Sequence, residues 1–185
     1  HEDYIPEKYL PTFNSHTIEW NLHRIEGLSE NFVYFNDDIF LVREVKPSDF
    51  FMDGKPKDML ALQPIVANAQ DVVMPYIYLN NSMTIAKYFD KRENMKQQPN
   101  AYWHIGYPPL YYAYNWLERA FPRFTGFYTV HGPSPLQCAT YRTLWEKEEK
   151  LLDATCSHPF RDVKDVSQYL LREWQKLSGN FVPAN

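Results

Sequence analysis

Apolar side chains recur at helical spacing near the start of the chain. Those of Ile18, Leu22 and Ile25 would share one face of a helix. Either Asn14 or Ser15 can cap the first turn of such a helix, so we predict that it begins there. A glycine two residues after Ile25 is predicted to end it.

A short β-type run, residues 31–35, follows this helix. It leads directly into Asn36, Asp37 and Asp38, here called the acidic turn, and a second apolar run covers 39–42. The pattern therefore predicts an acidic turn at the end of a strand.

Helical segments joined by loops dominate the rest of the chain. Residues 52–54, Met-Asp-Gly, predict a hairpin turn, and residues 58–66 predict a strand or a buried segment. The remaining predicted helices cover about 78–95, a segment from Pro108 or Pro109 to Pro122, a segment from 135 to about 152, and one from Asp162 or Asp165 to Leu177 with Gly179 as its cap. Loops are predicted at 97–100, 131–135 and 155–161. Helices outnumber strands, which indicates an α/β or α+β class with few strands.

Length, charge and cysteine content narrow the class of protein. With 185 residues and 44% hydrophobic residues, the chain can bury the core of one domain. Its net charge of -4 argues against a nucleic-acid binder, which needs a surplus of Lys and Arg. Cys138 and Cys156 are too few for a disulfide framework and lack zinc-type spacing, which favours a reducing compartment. No apolar run reaches the roughly 18 residues that a membrane span needs, so we expect a soluble domain.

The acidic turn is the first candidate for chemistry. Adjacent carboxylates at a strand end can hold Mg²⁺ or Mn²⁺, which prefer oxygen ligands and can share them with a diphosphate. The alternative is an ordinary turn, in which the side chains of Asn36, Asp37 and Asp38 bond to their own backbone. These residues alone do not decide between the two interpretations.

A second candidate lies on the first predicted helix. Ser15 and His16 stand at its start, and Glu19 and His23 lie one turn apart on a shared face. Such a face could position a hydroxyl group or orient a metal ligand. It could equally be a helix cap followed by a solvated pair.

Two loops later in the chain supply further candidates. His131 lies in a loop rich in glycine and proline, and His158 and Arg161 precede a predicted helix. An arginine can grip phosphate oxygens with two donors, and a histidine can take up or release a proton near neutral pH. Taken singly, such loop residues are more often part of the surface.

Several common enzyme motifs do not occur in the chain. It contains no P-loop, GxGxxG, HExxH or GxSxG sequence. Aromatic residues make up 17% of the chain. A cluster of them could stack on a sugar or base, form core, or touch a membrane surface, and it comprises Trp103, Tyr107, Tyr111, Tyr112, Tyr114 and Trp116.

Two stretches of the chain resemble conserved regions of the stealth family. The first resembles the family's second conserved region and comprises Leu10 to His16, Ile18 and Glu19, Leu22 to Ile25, Gly27 to Ser29, and Phe32 to Asp38. The other resembles the third conserved region and comprises His131 to Pro133, Thr155, His158 to Arg161, and Asp165. Stealth proteins are bacterial capsular or exopolysaccharide phosphotransferases, related to the animal lysosomal-enzyme N-acetylglucosamine-1-phosphotransferase.

The resemblance implies an activity and a fold. A sugar 1-phosphate would pass from a nucleotide diphosphate sugar, such as UDP-GlcNAc, to a glycan hydroxyl, with Mg²⁺ or Mn²⁺ as cofactor and a nucleoside monophosphate as the second product. The expected fold is α/β, helix-rich with few strands, and forms the carboxyl-terminal portion of a Rossmann-like or GT-A-like nucleotide-sugar core.

The resemblance also implies roles for individual residues. The expected catalytic residues are Asp38, His131, Arg161, Glu19 and His158. The expected substrate-binding residues are Ser15, His16, Asn36 and Arg24. The expected metal ligands are Asp37 and Asp38.

We expect one catalytic domain over residues 1–185. Its expected parts are the second conserved region at about 9–60, a helical middle at about 75–122, and the third conserved region at about 128–178. Family members also carry an amino-terminal first region with no counterpart here, so we expect an amino-terminally truncated piece that holds part of the donor pocket. The expected partners are the donor sugar nucleotide and a polysaccharide acceptor, in the bacterial cytoplasm at the inner face of the membrane. Peripheral membrane association and a homo-oligomer stay open.

Two alternatives to this function remain. A metal-dependent glycosyltransferase would use an acidic turn in a similar way but would release a nucleoside diphosphate. A non-catalytic module would only bind a glycan or nucleotide.

Overall fold

A computed structural model describes residues 1–67 and 69–184 of the chain. The described part is rich in helices, has few strands in small sheets, and is compatible with an α/β fold. Its α-helices are α1 (Ser15–Asn21), α2 (Pro47–Phe50), α3 (Met74–Ala86), α4 (Lys91–Gln97), α5 (Pro99–Tyr102), α6 (Pro109–Glu118), α7 (Cys138–Lys147), α8 (Glu149–Ser157) and α9 (Tyr169–Leu177). Short 3-10 helices cover Glu7–Tyr9 and Leu22–Arg24. The strands are β1 (Asn31–Tyr34), β2 (Phe51–Met52), β3 (Lys55–Asp58), β4 (Ser134–Gln137) and β5 (Val182–Pro183).

The pairing of β1 with β4 determines which loops meet. The two strands are antiparallel, with Phe32 opposite Leu136 and Tyr34 opposite Ser134. In an antiparallel pair, the end of one strand lies beside the start of the other. The acidic turn after β1 is therefore a neighbour of the loop that precedes β4 and carries His131.

A second small sheet lies elsewhere in the chain. Strand β3 pairs antiparallel with β2 and parallel with β5. Met52 stands opposite Lys55, which confirms the hairpin turn predicted at residues 52–54. Asp53 and Gly54 both have positive φ, 50° and 74°, as residues in such a turn often do.

The main apolar core lies between α1, β4, α7, α8 and α9. Trp20, Leu136, Tyr141 and Leu170 are fully buried within it. The Trp20 indole N–H also donates to the carbonyl of Val166 at 2.8 Å. This bond ties α1 to the segment that precedes α9, and so joins early and late parts of the chain.

Charged residues are buried where α9 meets β3. Every residue of α9 is buried, and the Arg172 guanidinium donates two hydrogen bonds to Asp58, of 2.8 and 2.7 Å. A third bond from Arg172 reaches the carbonyl of Val130 at 3.1 Å. Because Val130 precedes His131 directly, this buried ion pair helps to hold the histidine loop in place.

The predicted start of α1 is confirmed. Asn14 caps the helix, and its side chain accepts a hydrogen bond from the His16 amide at 3.0 Å. The predicted end of the helix at Gly27 was wrong, because α1 ends at Asn21 and a 3-10 turn continues only to Arg24; Gly27 lies in the loop beyond, with a φ of 75°. The predicted helix start at Pro109 is also confirmed.

Other predicted boundaries were wrong. The helix predicted over 78–95 is two helices, because Asp90 caps a new one by accepting from the Glu93 amide at 2.9 Å. The loop predicted at 97–100 overlaps a short helix, α5. The helix predicted from 135 to 152 is strand β4 followed by α7 and α8.

The final helix begins at Tyr169, later than predicted. The amide of Val166 donates to the Thr155 hydroxyl at 3.3 Å, and that of Ser167 donates to the Asn81 side chain at 3.1 Å. Because these amides donate to side chains of other elements, they are not available for helical hydrogen bonds, and the helix begins only after them.

Among the helices of residues 1–67 and 69–184, none combines the length and the apolar character needed to cross a membrane.

Candidate active site

A cavity of about 500 Å³ opens where α1, the acidic turn, the His131 loop and the segment before α9 meet. Its lining is mostly polar and comprises Ser15, His16, Glu19, Tyr34, Asn36, Asp37, Asp38, Met74, Tyr78, Thr129, His131, Arg161, Ser167, Gln168 and Tyr169. Residues far apart in the sequence thus share one concave surface, which is the usual form of a small-molecule site.

His131 and the acidic turn are in direct contact. The Nε2 atom of His131 lies 3.0 Å from Oδ2 and 3.2 Å from Oδ1 of Asp38. In the neutral ring, this contact places the hydrogen on Nε2, because a carboxylate only accepts, and Nδ1 is then the acceptor. The Tyr169 hydroxyl lies 3.3 Å from Nδ1, and the Asn36 amide nitrogen lies 3.2 Å from Nδ1 and 3.3 Å from Nε2. The basic nitrogen of the ring therefore faces hydrogen-bond donors in the cavity.

Glu19 forms a buried acidic part of the wall. Its Oε1 accepts from the Tyr34 hydroxyl at 3.2 Å, and only 7% of the residue is exposed. Burial raises the pKa of Glu19, against the opposing effects of His16, the Tyr34 hydrogen bond and the charge of Arg161. The same burial raises the pKa of Tyr34, and the neighbouring Glu19 carboxylate raises it further.

Arg161 and Ser15 meet at the rim of the cavity. The guanidinium donates two hydrogen bonds to the Ser15 hydroxyl oxygen, of 3.0 Å from Nε and 2.8 Å from an Nη atom. A guanidinium has five N–H donors, so several remain for an anion. The arrangement can present a positive charge to phosphate oxygens while the serine fixes its position.

Asp165 is a buried carboxylate that ties the Arg161 loop to α1. It accepts from His16 Nδ1 at 3.2 Å, His158 Nδ1 at 2.6 Å, the Asn14 amide group at 2.9 Å and the Asp162 backbone at 3.0 Å. Burial alone would raise the pKa of Asp165, but these hydrogen bonds outweigh it and lower the pKa. An ionised Asp165 therefore anchors both histidines.

The structure brings most of the predicted site residues together. Those that line the cavity are Ser15, His16, Glu19, Asn36, Asp37, Asp38, His131 and Arg161. His158 lies behind this wall and contacts it through Asp165. Arg24 lies apart from the cavity, because its guanidinium donates to Asn21 at 2.9 Å and lies 5.1 Å from the centre of the Trp145 ring.

Sequence reasoning did not single out the tyrosines of the cavity. Tyr34, Tyr78 and Tyr169 all line it, and Tyr34 and Tyr169 bond to Glu19 and His131. Tyr34 lies at the end of the predicted strand, close to the acidic turn, and this position alone could have predicted that it lines the cavity. Nothing local distinguishes Tyr78 or Tyr169 from the other aromatic residues.

The oxygen donors of the acidic turn suit a divalent cation that also binds substrate. Among residues 1–67 and 69–184, no group of three or more His, Cys, Asp or Glu side chains is arranged to hold a metal. Mg²⁺ is commonly held by only one or two carboxylates together with substrate phosphates and water. Asp37 and Asp38 supply that number of carboxylates at the cavity edge.

One family of known proteins matches the first part of the chain. Residues 1–59 match the family described as Stealth protein CR2, conserved region 2. This range contains the acidic turn and the α1 residues of the cavity.

Characterised relatives align with nearly the whole chain. The capsular polysaccharide phosphotransferase WcwK of Streptococcus pneumoniae is 37% identical over 185 residues, which cover 100% of this chain and 54% of the relative. The receptor polysaccharide phosphotransferase WefC of Streptococcus oralis is 34% identical over 100% of this chain and 55% of the relative. The exopolysaccharide phosphotransferase cps2G of Lactiplantibacillus plantarum is 36% identical over 99% of this chain and 53% of the relative.

The chain spans about half the length of the curated relatives that it matches. Its own residues carry the conserved region 2 match, and the cavity combines that region with His131 and Arg161 from far along the sequence. The chain belongs to the stealth protein family.

Proposed function

We propose that the cavity takes part in the transfer of a sugar 1-phosphate from a nucleotide diphosphate sugar to a glycan hydroxyl. The acceptor oxygen forms a bond to the phosphorus that carries the sugar, and the bond from that phosphorus to the bridging oxygen breaks. The hydroxyl proton passes to a base, and a nucleoside monophosphate leaves. The products are a phosphodiester-linked glycan and the monophosphate.

His131 is the base in this proposal. Its Nδ1 is the nitrogen that accepts hydrogen bonds. In the proposal, the hydroxyl group of the glycan takes the place of the Asn36 or Tyr169 group that contacts Nδ1. Asp38 accepts from the other ring nitrogen at 3.0 Å. This contact fixes the orientation of the ring, so that Nδ1 is the nitrogen available to the acceptor hydroxyl.

Arg161 binds the phosphate oxygens of the donor. Phosphoryl transfer depends on positioning and on stabilisation of charge at these oxygens more than on covalent chemistry. Ser15 holds the guanidinium in place through its two hydrogen bonds. His16, which Asp165 orients, forms the neighbouring wall and contacts substrate in this proposal.

Glu19 is placed to bind sugar or acceptor hydroxyl groups. Its carboxyl lies in the cavity wall with one oxygen bonded to Tyr34. A carboxyl group whose pKa is raised by burial can exchange a proton at a pH closer to neutral than an exposed one can.

Asp37 and Asp38 hold Mg²⁺ or Mn²⁺ in this proposal. When bound, the cation neutralises charge on the diphosphate and orients it. One carboxylate has about four lone-pair positions, so Asp38 can bind a cation and still accept from His131.

The wider setting is part of the same proposal. We assign the chain to a bacterial polysaccharide phosphotransferase, because its relatives bear names of that activity. A Rossmann-like or GT-A-like nucleotide-sugar core is the fold that the family resemblance implies for it. A sugar nucleotide donor, a polysaccharide acceptor and a location at the cytoplasmic face of the membrane follow from that assignment.

The contact of His131 with Asp38 inside a cavity that also holds Glu19 and Arg161 carries the proposal. The test uses the protein encoded by the complete reading frame, incubated with a UDP-sugar, Mg²⁺ and a glycan acceptor. The proposal requires UMP among the products, released only when acceptor is present. Release of UDP would contradict it and would identify a glycosyltransferase instead.

A binding module without catalytic activity is tested in the same experiment. Such a module would bind the UDP-sugar, measured by calorimetry, and leave it intact. The experiment uses panels of donors and acceptors that vary the nucleobase, the sugar and the glycan. Intact donor throughout these panels, with binding retained, would reject the transferase proposal.

A further inference from the structure

Helix α6 has an unusual distribution of polar and apolar residues. Its fully buried residues are polar, Asn115 and Glu118. The Asn115 side chain donates to the carbonyls of Leu60 and Tyr102, at 3.0 and 2.6 Å. Glu118 pairs with the buried Lys91 at 3.1 Å. These polar contacts fix the rotation of the helix about its axis, so the same side of it always faces solvent.

The face toward solvent is apolar. Leu110 and Leu117, two helical turns apart, are 56% and 55% exposed. Trp116 beside them is 64% exposed, and Phe121, just after the helix, is 52% exposed. Large apolar side chains that cluster on a surface mark a site of interaction more often than scattered ones do. These four residues are called the α6 patch below.

A cationic cavity of about 640 Å³ adjoins the α6 patch. It is lined by Arg92, Met95, Lys96, Trp103, Arg119 and Phe121, so Phe121 belongs to both features. The Arg119 guanidinium lies 5.8 Å from the centre of the Trp103 ring. No acidic residue is among those that line the cavity, as far as residues 1–67 and 69–184 show.

The local charge is opposite to that of the whole chain. The net charge of the protein is -4, whereas this cavity presents three basic side chains beside aromatic rings. Lys96 is partly offset by Glu93 at 2.7 Å, an ion pair with both side chains exposed to solvent. Lys91 forms a buried ion pair with Glu118 and adds no positive charge to the surface. The surplus that remains favours an anionic partner.

We propose that the α6 patch and its cationic cavity bind the protein to an anionic lipid bilayer. Tryptophan and phenylalanine side chains insert at the boundary between headgroups and acyl chains. Arginine and lysine side chains beside them attract anionic headgroups. An anionic bilayer matches both parts within one surface, because it offers acyl chains to the apolar side chains and headgroups to the cations. The proposal does not depend on the activity proposed above.

The test is vesicle binding by the protein encoded by the complete reading frame. Sedimentation with vesicles of phosphatidylcholine containing about one third phosphatidylglycerol is compared with phosphatidylcholine alone. We expect binding to the anionic vesicles that falls with added salt. Trp116→Ser with Leu117→Ser should weaken it about tenfold, because apolar area no longer inserts. Arg92→Glu with Arg119→Glu should weaken it by at least about 25-fold, at roughly fivefold for each of the two positive charges removed.

Matched controls separate this surface from a general effect of charge or apolarity. Met83, 60% exposed on α3, is changed to serine, and Lys150, exposed on α8, is changed to glutamate. Both control variants should bind as the wild type does. Circular dichroism confirms the fold of each variant, and the serine pair alters only exposed side chains, so it remains informative even if the charge-reversed pair does not fold.

Several outcomes would overturn the proposal. They are absence of sedimentation with anionic vesicles, unchanged binding by both pairs of variants, and equal loss in the control variants. Two further outcomes point to another occupant. A dimer that loses its association in the serine pair would assign the α6 patch to a second copy. The chain has five tryptophans, so quenching without vesicles is compared between the wild type and Trp116→Ser. Equal quenching of the two would show that Trp116 is covered and would assign the patch to another segment of the polypeptide.

Discussion

The Nε2 atom of His131 lies 3.0 Å from Oδ2 of Asp38, although 93 residues separate the two in the sequence. Both side chains are more than half exposed, with exposed fractions of 57% and 64%. An exposed pair contributes little to the free energy of unfolding, so we assign the contact a role in the chemistry of the cavity. The first prediction concerns this pair.

Asp38→Asn should lower turnover by at least about 100-fold while leaving the thermal midpoint nearly unchanged. The substitution removes a charge that faces the cation and His131 but alters no buried contact. Turnover of the UDP-sugar and a thermal melt measure the two effects. Glu146→Gln, a similar change at an exposed position on α7, should affect neither quantity. Normal turnover by the Asp38 variant would remove the acidic turn from the active site.

Arg161→Lys should also reduce turnover by about 100-fold, because a lysine cannot hold Ser15 and grip phosphate oxygens in the same planar geometry. Arg24→Lys is the matched control, since Arg24 lies over Trp145, away from the cavity. Steady-state rates with saturating acceptor measure both. Equal losses in the two variants would show that Arg24 binds substrate, as the family resemblance implied.

Asp165→Asn should destabilise the protein by about 2–4 kcal/mol at pH 7, since the buried carboxylate accepts several hydrogen bonds that an amide cannot replace. The hydrogen bonds lower the pKa of Asp165, so its contribution is present above the ordinary carboxyl pKa and is lost as the pH falls through the lowered value. Urea unfolding at several pH values therefore should show the variant and wild type converging in acid. Asp3→Asn, at an exposed position near the start of the chain, should change stability little.

Glu19→Gln should change how stability depends on pH in the opposite sense. Burial raises the pKa of Glu19, so the folded protein holds this proton more tightly than the unfolded chain does. Stability is therefore lost as the pH rises above the ordinary carboxyl pKa toward the raised value. A glutamine can still accept the Tyr34 hydrogen bond, and it has no proton to lose. The free energy of unfolding of the variant, relative to that of the wild type, should therefore increase as the pH is raised from 4.5 to neutrality. A parallel pH dependence of the two proteins would contradict the raised pKa.

Local sequence signals predicted the elements that have strong caps and turns. Asn14 caps α1 and residues 52–54 form the hairpin, both as their types require. Strand β4 went unrecognised because it contains Pro135, and proline is uncommon in strands. Pro135 lies opposite Val33 in the short sheet that brings the acidic turn and the His131 loop together.

The composition of the site was predictable only through the family resemblance. Periodicity alone left Asn36, Asp37 and Asp38 as either a turn or a metal site, because a local pattern carries no information on distant partners. The role of Asp165 depends on Asn14 and His16 from the other end of the chain. The substrate-binding role that the resemblance implies for Arg24 stays a prediction, and the structure places its guanidinium beside Asn21 and Trp145.

The most direct test of the central claim follows the phosphorus atom attached to the sugar. A UDP-sugar labelled with ³²P at that phosphorus is incubated with the complete protein, Mg²⁺ and a polysaccharide acceptor. Transfer of a sugar 1-phosphate predicts label in the polysaccharide, in a linkage that resists phosphomonoesterase, and unlabelled UMP in solution. Unlabelled polysaccharide together with labelled UDP would contradict the account.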